Sequence, residues 1–141
     1  LTSFRDITRA DIERVVDLWT RCGLTRPWND PYKDISFAMD GSASTLLVAE
    51  EGQAIVASVM VGHDGHRGTL YYVAVDPARR REGLGRKAVR AGEDWLGARG
   101  VWKVNLLVRS ENEAVRSFYE KLGYEVNPVF CMARRITGPA S

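Results

Sequence analysis

Between Thr69 and Val108 the chain reads as a strand, a helix and a second strand, and that order limits the folds open to it. Thr69–Val75 has the β-branched and aromatic content of a strand. From about Leu84 to Arg99, Leu84, Ala88, Ala91, Trp95 and Leu96 fall on one helical stripe, which Gly100 stops. Lys103–Val108 is near-continuously apolar, as a strand covered on both faces would be. Two strands joined through a helix lie parallel, so the chain must build a sheet with helices packed on it.

The remainder adds mainly antiparallel neighbours. Ser3-Phe4-Arg5 reads as a short first strand, and Thr8 with Asp11 resembles a capping box opening a helix to Cys22, with Ile12, Val15, Val16 and Trp19 on its apolar face. Asp30 followed by Pro31 predicts the start of a short helix to about Met39. Thr45–Glu50 and Ile55–His63 read as strands, and Asp64-Gly65 predicts a two-residue hairpin turn into Thr69. Residues 113–122 read as a helix ended by Gly123, and Val129–Arg135 as a last strand. The expected architecture is a mixed α/β sheet in one domain spanning residues 1–141.

Composition narrows the class. A chain of 141 residues with 45% hydrophobic and 27% charged residues is that of an ordinary globular domain, not a disordered or fibrous one. No apolar stretch approaches the roughly 20 residues of a membrane-spanning helix, and the opening LTSFRDITRAD lacks the pattern of a signal peptide. Cys22 and Cys131 are too few for a disulfide framework and are expected to be buried thiols. These features predict a cytoplasmic protein with no membrane partner. Net charge is +2, yet Arg79, Arg80, Arg81, Arg86, Lys87 and Arg90 crowd one twelve-residue window with Glu82 as its one acid. Arginine makes forked contacts with phosphate oxygens. A nucleic-acid partner is not expected at this net charge without a recognition motif.

The window opens the central helix. Val73-Ala74-Val75-Asp76-Pro77 leads into Arg80-Arg81-Glu82-Gly83-Leu84-Gly85, so two glycines sit where a helix presents unpaired N–H groups and the positive end of its dipole. Glycine lets an anion approach the backbone, which points to phosphate. A P-loop is excluded because Gly-Lys-Ser/Thr is absent. Gly83-Leu84-Gly85-Arg86-Lys87-Ala88 matches a dinucleotide fingerprint, but seven residues separate it from its strand and the next strand offers no ribose-binding acid.

The pattern [Q/R]-x-x-G-x-[G/A] after Val-Asp-Pro resembles the GNAT superfamily of N-acetyltransferases. Asn112 and Phe118-Tyr119-Glu120-Lys121-Leu122-Gly123-Tyr124 resemble that family's second signature, in the right order. The resemblance implies a GNAT fold: a mixed, mostly antiparallel sheet with a splayed parallel strand pair and helices on both faces. It implies acetyl-CoA as donor and an amine, small molecule or peptide, as acceptor, without a metal. By the same resemblance Val73, Ala74 and Val75 would hold the pantetheine arm and the thioester carbonyl. Arg80, Arg81, Glu82, Gly83, Leu84, Gly85 and Arg86 would cradle the pyrophosphate, Asn112 would bind the coenzyme, and Tyr119 would protonate the departing thiolate.

The catalytic base is open. Ribosomal-protein alanine acetyltransferases of this superfamily carry a Glu where this chain has Leu107, which leaves Asp30, Glu50, His63, Asp64 and His66, or a water relay, as candidates. By resemblance Trp28, Asn29, Asp30, His63 and Asp64 would line the acceptor pocket, and the segments around them resemble a small bacterial YpeA-like branch. His63 and His66 alone make a poor metal site. A non-catalytic coenzyme-binding sensor or scaffold is the alternative, and monomer and homodimer are equally open.

Overall fold

The computed structural model describes residues 2–138. The chain divides into two units, residues 1–106 and 107–141. The first holds a five-stranded sheet in the order β1 (Arg5–Asp6), β2 (Ser44–Glu51), β3 (Ala54–His63), β4 (Gly68–Val75) and β5 (Val104–Asn105). β1 to β4 pair antiparallel and β4 pairs β5 in parallel, which is the mixed sheet expected. Helices α1 (Ile12–Arg21), α2 (Pro31–Asp40) and α3 (Leu84–Gly97) belong to this unit. The second unit holds α4 (Glu113–Lys121).

The buried residues of the sheet divide between two clusters. Leu46, Val48, Ile55 and Ala74 pack with Val15, Leu18, Trp19 and Ile35 of α1 and α2. Ala49, Val56 and Ala57 pack instead with Leu84 of α3. Gly92 permits the close approach of α3, because a Cβ there would lie 2.6 Å from Leu70 Cδ2.

Local chemistry explains the helix starts. Thr8 N–H donates to the Asp11 carboxylate over 2.8 Å, and a 3₁₀ turn (Arg9–Asp11) precedes α1, so the first predicted helix begins as two pieces. Asp11 is buried, and its oxygens also accept from Arg5 over 2.7 and 3.0 Å and from Arg14 over 2.6 Å. Asp30 caps α2 by accepting from the Tyr32 and Lys33 N–H groups, with Pro31 at the first position.

Several expectations need correction. The first strand is Arg5–Asp6, in register with Val48 and Leu47, rather than Ser3–Arg5. β3 and β4 pair out to His63 and Gly68, so Asp64–Arg67 form a four-residue loop instead of a two-residue turn. The reason is the Asp64 side chain, whose Oδ1 accepts from both His66 and Arg67 N–H over 2.8 Å. The strand expected at Lys103–Val108 shrinks to Val104–Asn105, because its ladder with β4 ends at Asn105. Val129–Arg135 is not a strand: no ladder pairs it among the described residues, and β-rich composition without a partner makes no strand. Cys131 lies in that stretch and is exposed, while Cys22 is partly buried.

Candidate active site

The β4 strand is the centre of the candidate site. β3 pairs its one edge, with Ala74 opposite Ser58 and Val75 opposite Ala57. On the other edge the parallel ladder stops after Gly68↔Val104 and Thr69↔Asn105. Alternate backbone groups farther along, through Val73, Ala74 and Val75, therefore have no strand partner on that side among the described residues. Those are the groups expected to hold the pantetheine arm.

A break in the β3–β4 register between Ser58 and Met60 coincides with Tyr72, which has φ 50°. A bulky residue in the left-handed region costs of the order of 1–3 kcal/mol and persists where its surroundings over-determine it. Three contacts do so here. The Tyr72 ring stacks on Trp19 with centroids 3.7 Å apart and planes 6° from parallel. Buried Ser58 accepts from the Trp19 indole N–H over 2.9 Å and donates to the Tyr72 carbonyl over 2.9 Å. The Tyr72 hydroxyl donates to Asp34 Oδ2 over 2.7 Å. Burial and the Asp34 hydrogen bond push the phenol's pKa above its ordinary range. The sequence shows none of this frame, because its members lie far apart along the chain.

Beyond Val75 the chain turns toward α3. Asp76 caps a 3₁₀ turn (Pro77–Arg79) through the Ala78 N–H and pairs with Arg21 over 3.0 Å. Arg81 (φ 69°) and Gly83 (φ 79°) then adopt left-handed conformations two residues apart. Such local reversals gather neighbouring N–H groups into an anion-binding concavity. Gly83 is the N-cap of α3 without a side-chain cap, and a Cβ on it would meet nothing within 4 Å. The N–H groups of Leu84, Gly85 and Arg86 precede the first intrahelical bond, Lys87 N–H to Gly83 carbonyl, and remain available to a ligand.

Charge sharpens this turn. Glu82 is paired with Arg79, whose Nε and Nη2 donate to it over 2.8–3.0 Å, while Arg79 Nη1 pairs with Glu51 over 2.8 Å. Arg79 thus leaves the cationic cluster that the sequence suggested. Among the described residues no ion pair engages Arg80, Arg81, Arg86, Lys87 or Arg90.

In the second unit Asn112 is the N-cap of α4, its Oδ1 accepting from Val115 N–H over 3.2 Å. Tyr119 is partly buried between Phe118 and Tyr124, with edge-on ring centroids at 5.0 and 5.5 Å. Burial pushes its pKa up to about 12.

The residues expected at the acceptor pocket have local partners. Trp28 is exposed, Asn29 closes a turn onto the Arg26 carbonyl, and Asp30 is the α2 cap. His63 Nδ1 accepts from Gly65 N–H, and the His63 ring sits beside Trp95, 6.3 Å between centroids. Among the described residues no hydrogen bond, ion pair or ring contact joins residues 26–32 to residues 62–67. Glu50, a candidate base, is held by Arg5 and Arg14 over 2.9 and 2.6 Å. No group of three or more His, Cys, Asp and Glu that could hold a metal occurs among the described residues.

The family profile described as "Acetyltransferase (GNAT) family" matches residues 12–124. The chain belongs to the GNAT acetyltransferases. It is 45% identical to "Acetyltransferase SG1711" of Sodalis glossinidius over 89% of each chain, and 43% identical to "Acetyltransferase YE1169" of Yersinia enterocolitica over 94% of each. Among solved structures it resembles the ribosomal-protein-S18-alanine N-acetyltransferase of Escherichia coli, with TM-score 0.74 and 26% identity over 87% of this chain and 77% of that one. The aminoglycoside N-acetyltransferase AAC(6')-Iy in complex with CoA shares the fold, with TM-score 0.82 and 14% identity over 97% and 96%. No helix among the described residues is long and apolar enough to cross a membrane.

Proposed function

We propose that the chain acts as one N-acetyltransferase domain that moves the acetyl group of acetyl-CoA to a primary amine by direct attack. The observation that carries this reading is the uncapped turn at Arg81–Arg86, open above Gly83 and flanked by arginines free of ion pairs. The pyrophosphate sits there, the pantetheine arm lies along the unpaired edge of β4, and Asn112 contributes a coenzyme contact. Named relatives that act on amines support N-acetylation. Two free cysteines suit a reducing compartment, which supports a cytoplasmic setting for the proposed reaction.

The chemistry makes three demands. The attacking amine must be neutral, and alkyl amines have a pKa near ~10, so a proton must leave first. The tetrahedral oxyanion is stabilised by a fixed N–H donor on β4, an interaction worth about 3 kcal/mol in comparable sites. The departing thiolate takes its proton from Tyr119. With its pKa at about 12 the phenol is a poor stand-alone acid toward a thiol of pKa about 8.5. Tyr119 therefore passes on a proton as it receives one, rather than holding a charge.

Coenzyme calorimetry on the wild type, Gly83→Trp and Gly85→Trp tests the placement. Loss of binding in both variants is expected, and equal affinity in all three overturns it. Leu107 at the expected base position favours a second reading, a coenzyme-binding module without catalysis. Amine-dependent release of free thiol from acetyl-CoA across a panel of amines excludes that module.

A further inference from the structure

Asp34 differs from three other partly or wholly buried carboxylates of the first unit. Asp11, Glu51 and Asp76 each pair with an arginine. Asp34 is partly buried, and its hydrogen-bond donor is the neutral Tyr72 phenol at Oδ2. No cation of the described residues pairs with it, and Oδ1 has no side-chain or backbone donor there. A carboxylate with one oxygen held by a neutral donor and the other without a protein donor can take an external cation. Its position is as informative as its charge. The phenol that holds it belongs to the bulged residue of β4 immediately before Val73, where the unpaired strand edge runs.

We propose that Asp34 receives the ammonium group of the amine acceptor. This rests on the proposed acetyl transfer and names the residue that anchors its acceptor. The carboxylate oxygen Oδ1 takes the R–NH₃⁺ group while Oδ2 stays on Tyr72, whose stacking on Trp19 keeps the pair in place. One ammonium proton passes to the carboxylate and on to water. The amine lone pair then forms the N–C bond to the acyl carbon, the C–S bond breaks with its electrons on sulfur, and the second amine proton ends on that sulfur. The products are the amide, free coenzyme thiol and one proton in solution.

The test reads binding apart from turnover. The Trp19 indole N–H serves as the NMR reporter, because its ring stacks on Tyr72. It is followed while butylamine or butanol is added at matched ionic strength and neutral pH. Butylamine is expected to shift this resonance in the wild type, butanol is not, and Asp34→Asn is expected to weaken the butylamine response by about tenfold. The free Asp34→Asn protein is expected to keep the wild-type Trp19 indole resonance and Tm, which guards against a folding defect, and Asp34→Glu, which keeps the charge, should restore the response. Equal responses to amine and alcohol, or an unchanged response in Asp34→Asn, overturns the assignment. Coenzyme calorimetry on the same samples separates the two readings: lost coenzyme binding with an intact amine response rejects the transferase alone.

Discussion

The Trp19 indole N–H donates to Ser58 Oγ over 2.9 Å across thirty-nine residues of sequence, and both side chains are fully buried. The same hydroxyl donates to the carbonyl of Tyr72, so one serine links a core indole to the strained residue of β4. Removing it leaves the Trp19 N–H and the Tyr72 carbonyl without a partner. Ser58→Ala is expected to cost about 2 kcal/mol, or a fall in Tm of about 5 °C in thermal unfolding. In kinetics it should lower the acetyl-transfer rate more than coenzyme affinity, because it loosens β4 and leaves the phosphate turn alone. A stable variant with wild-type kinetics would show that the frame does not set the strand's geometry.

Gly83 and Gly23 both have left-handed backbones with open space where a Cβ would go, at φ 79° and 70°. Alanine at either should cost about 1 kcal/mol of stability through backbone strain alone. Only Gly83→Ala is expected to weaken coenzyme binding in calorimetry, since its Cβ enters the phosphate concavity. Equal coenzyme affinity in the two variants would remove that concavity from the site.

Arg5, above all, holds the Asp11 carboxyl well below the ordinary carboxylate range, helped by the Thr8 N–H and opposed by burial. A depressed folded-state pKa means the unfolded chain binds the proton first. The stabilisation is present above about pH 4 and is lost as pH falls from there toward the folded pKa. Asp11→Asn should cost about 2 kcal/mol at pH 7 and flatten the acid limb of a stability-versus-pH curve. An acid limb identical to the wild type would assign acid unfolding to other groups.

Tyr119→Phe preserves the ring packing with Phe118 and Tyr124 and removes the hydroxyl. Acetyl transfer is expected to fall by at least about tenfold with coenzyme affinity nearly unchanged. Because the phenol's pKa lies at about 12, the wild-type rate should show no limb from Tyr119 below about pH 11. An unchanged rate in the variant would make Tyr119 a packing residue.

Features written by neighbouring residues were legible before the fold. Asp30-Pro31 starts α2 and Gly83 opens α3, because each acts on amides within three residues of itself, whereas the capping of α4 by Asn112 emerged only in the structure. The parallel pairing of β4 with β5 followed from the crossover between Thr69 and Val108. Errors arose where an element depends on a distant partner. Lys103–Val108 and Val129–Arg135 have strand composition, but the ladder with β4 ends at Asn105 and none pairs the latter run. Asp64-Gly65 misled because the Asp64 carboxylate ties up two amides and widens the turn.

The chain's order of residues determined that a glycine-opened helix follows a strand and that arginines surround its start. Tertiary structure decided which charges are free: Arg79 is neutralised by Glu51 and Glu82, and Glu50 lies between two arginines. It also brought Asp34 to Tyr72 across thirty-eight residues. Local amide chemistry is fixed by neighbours along the chain, whereas a carboxylate's partner is fixed by packing, and packing is long-range.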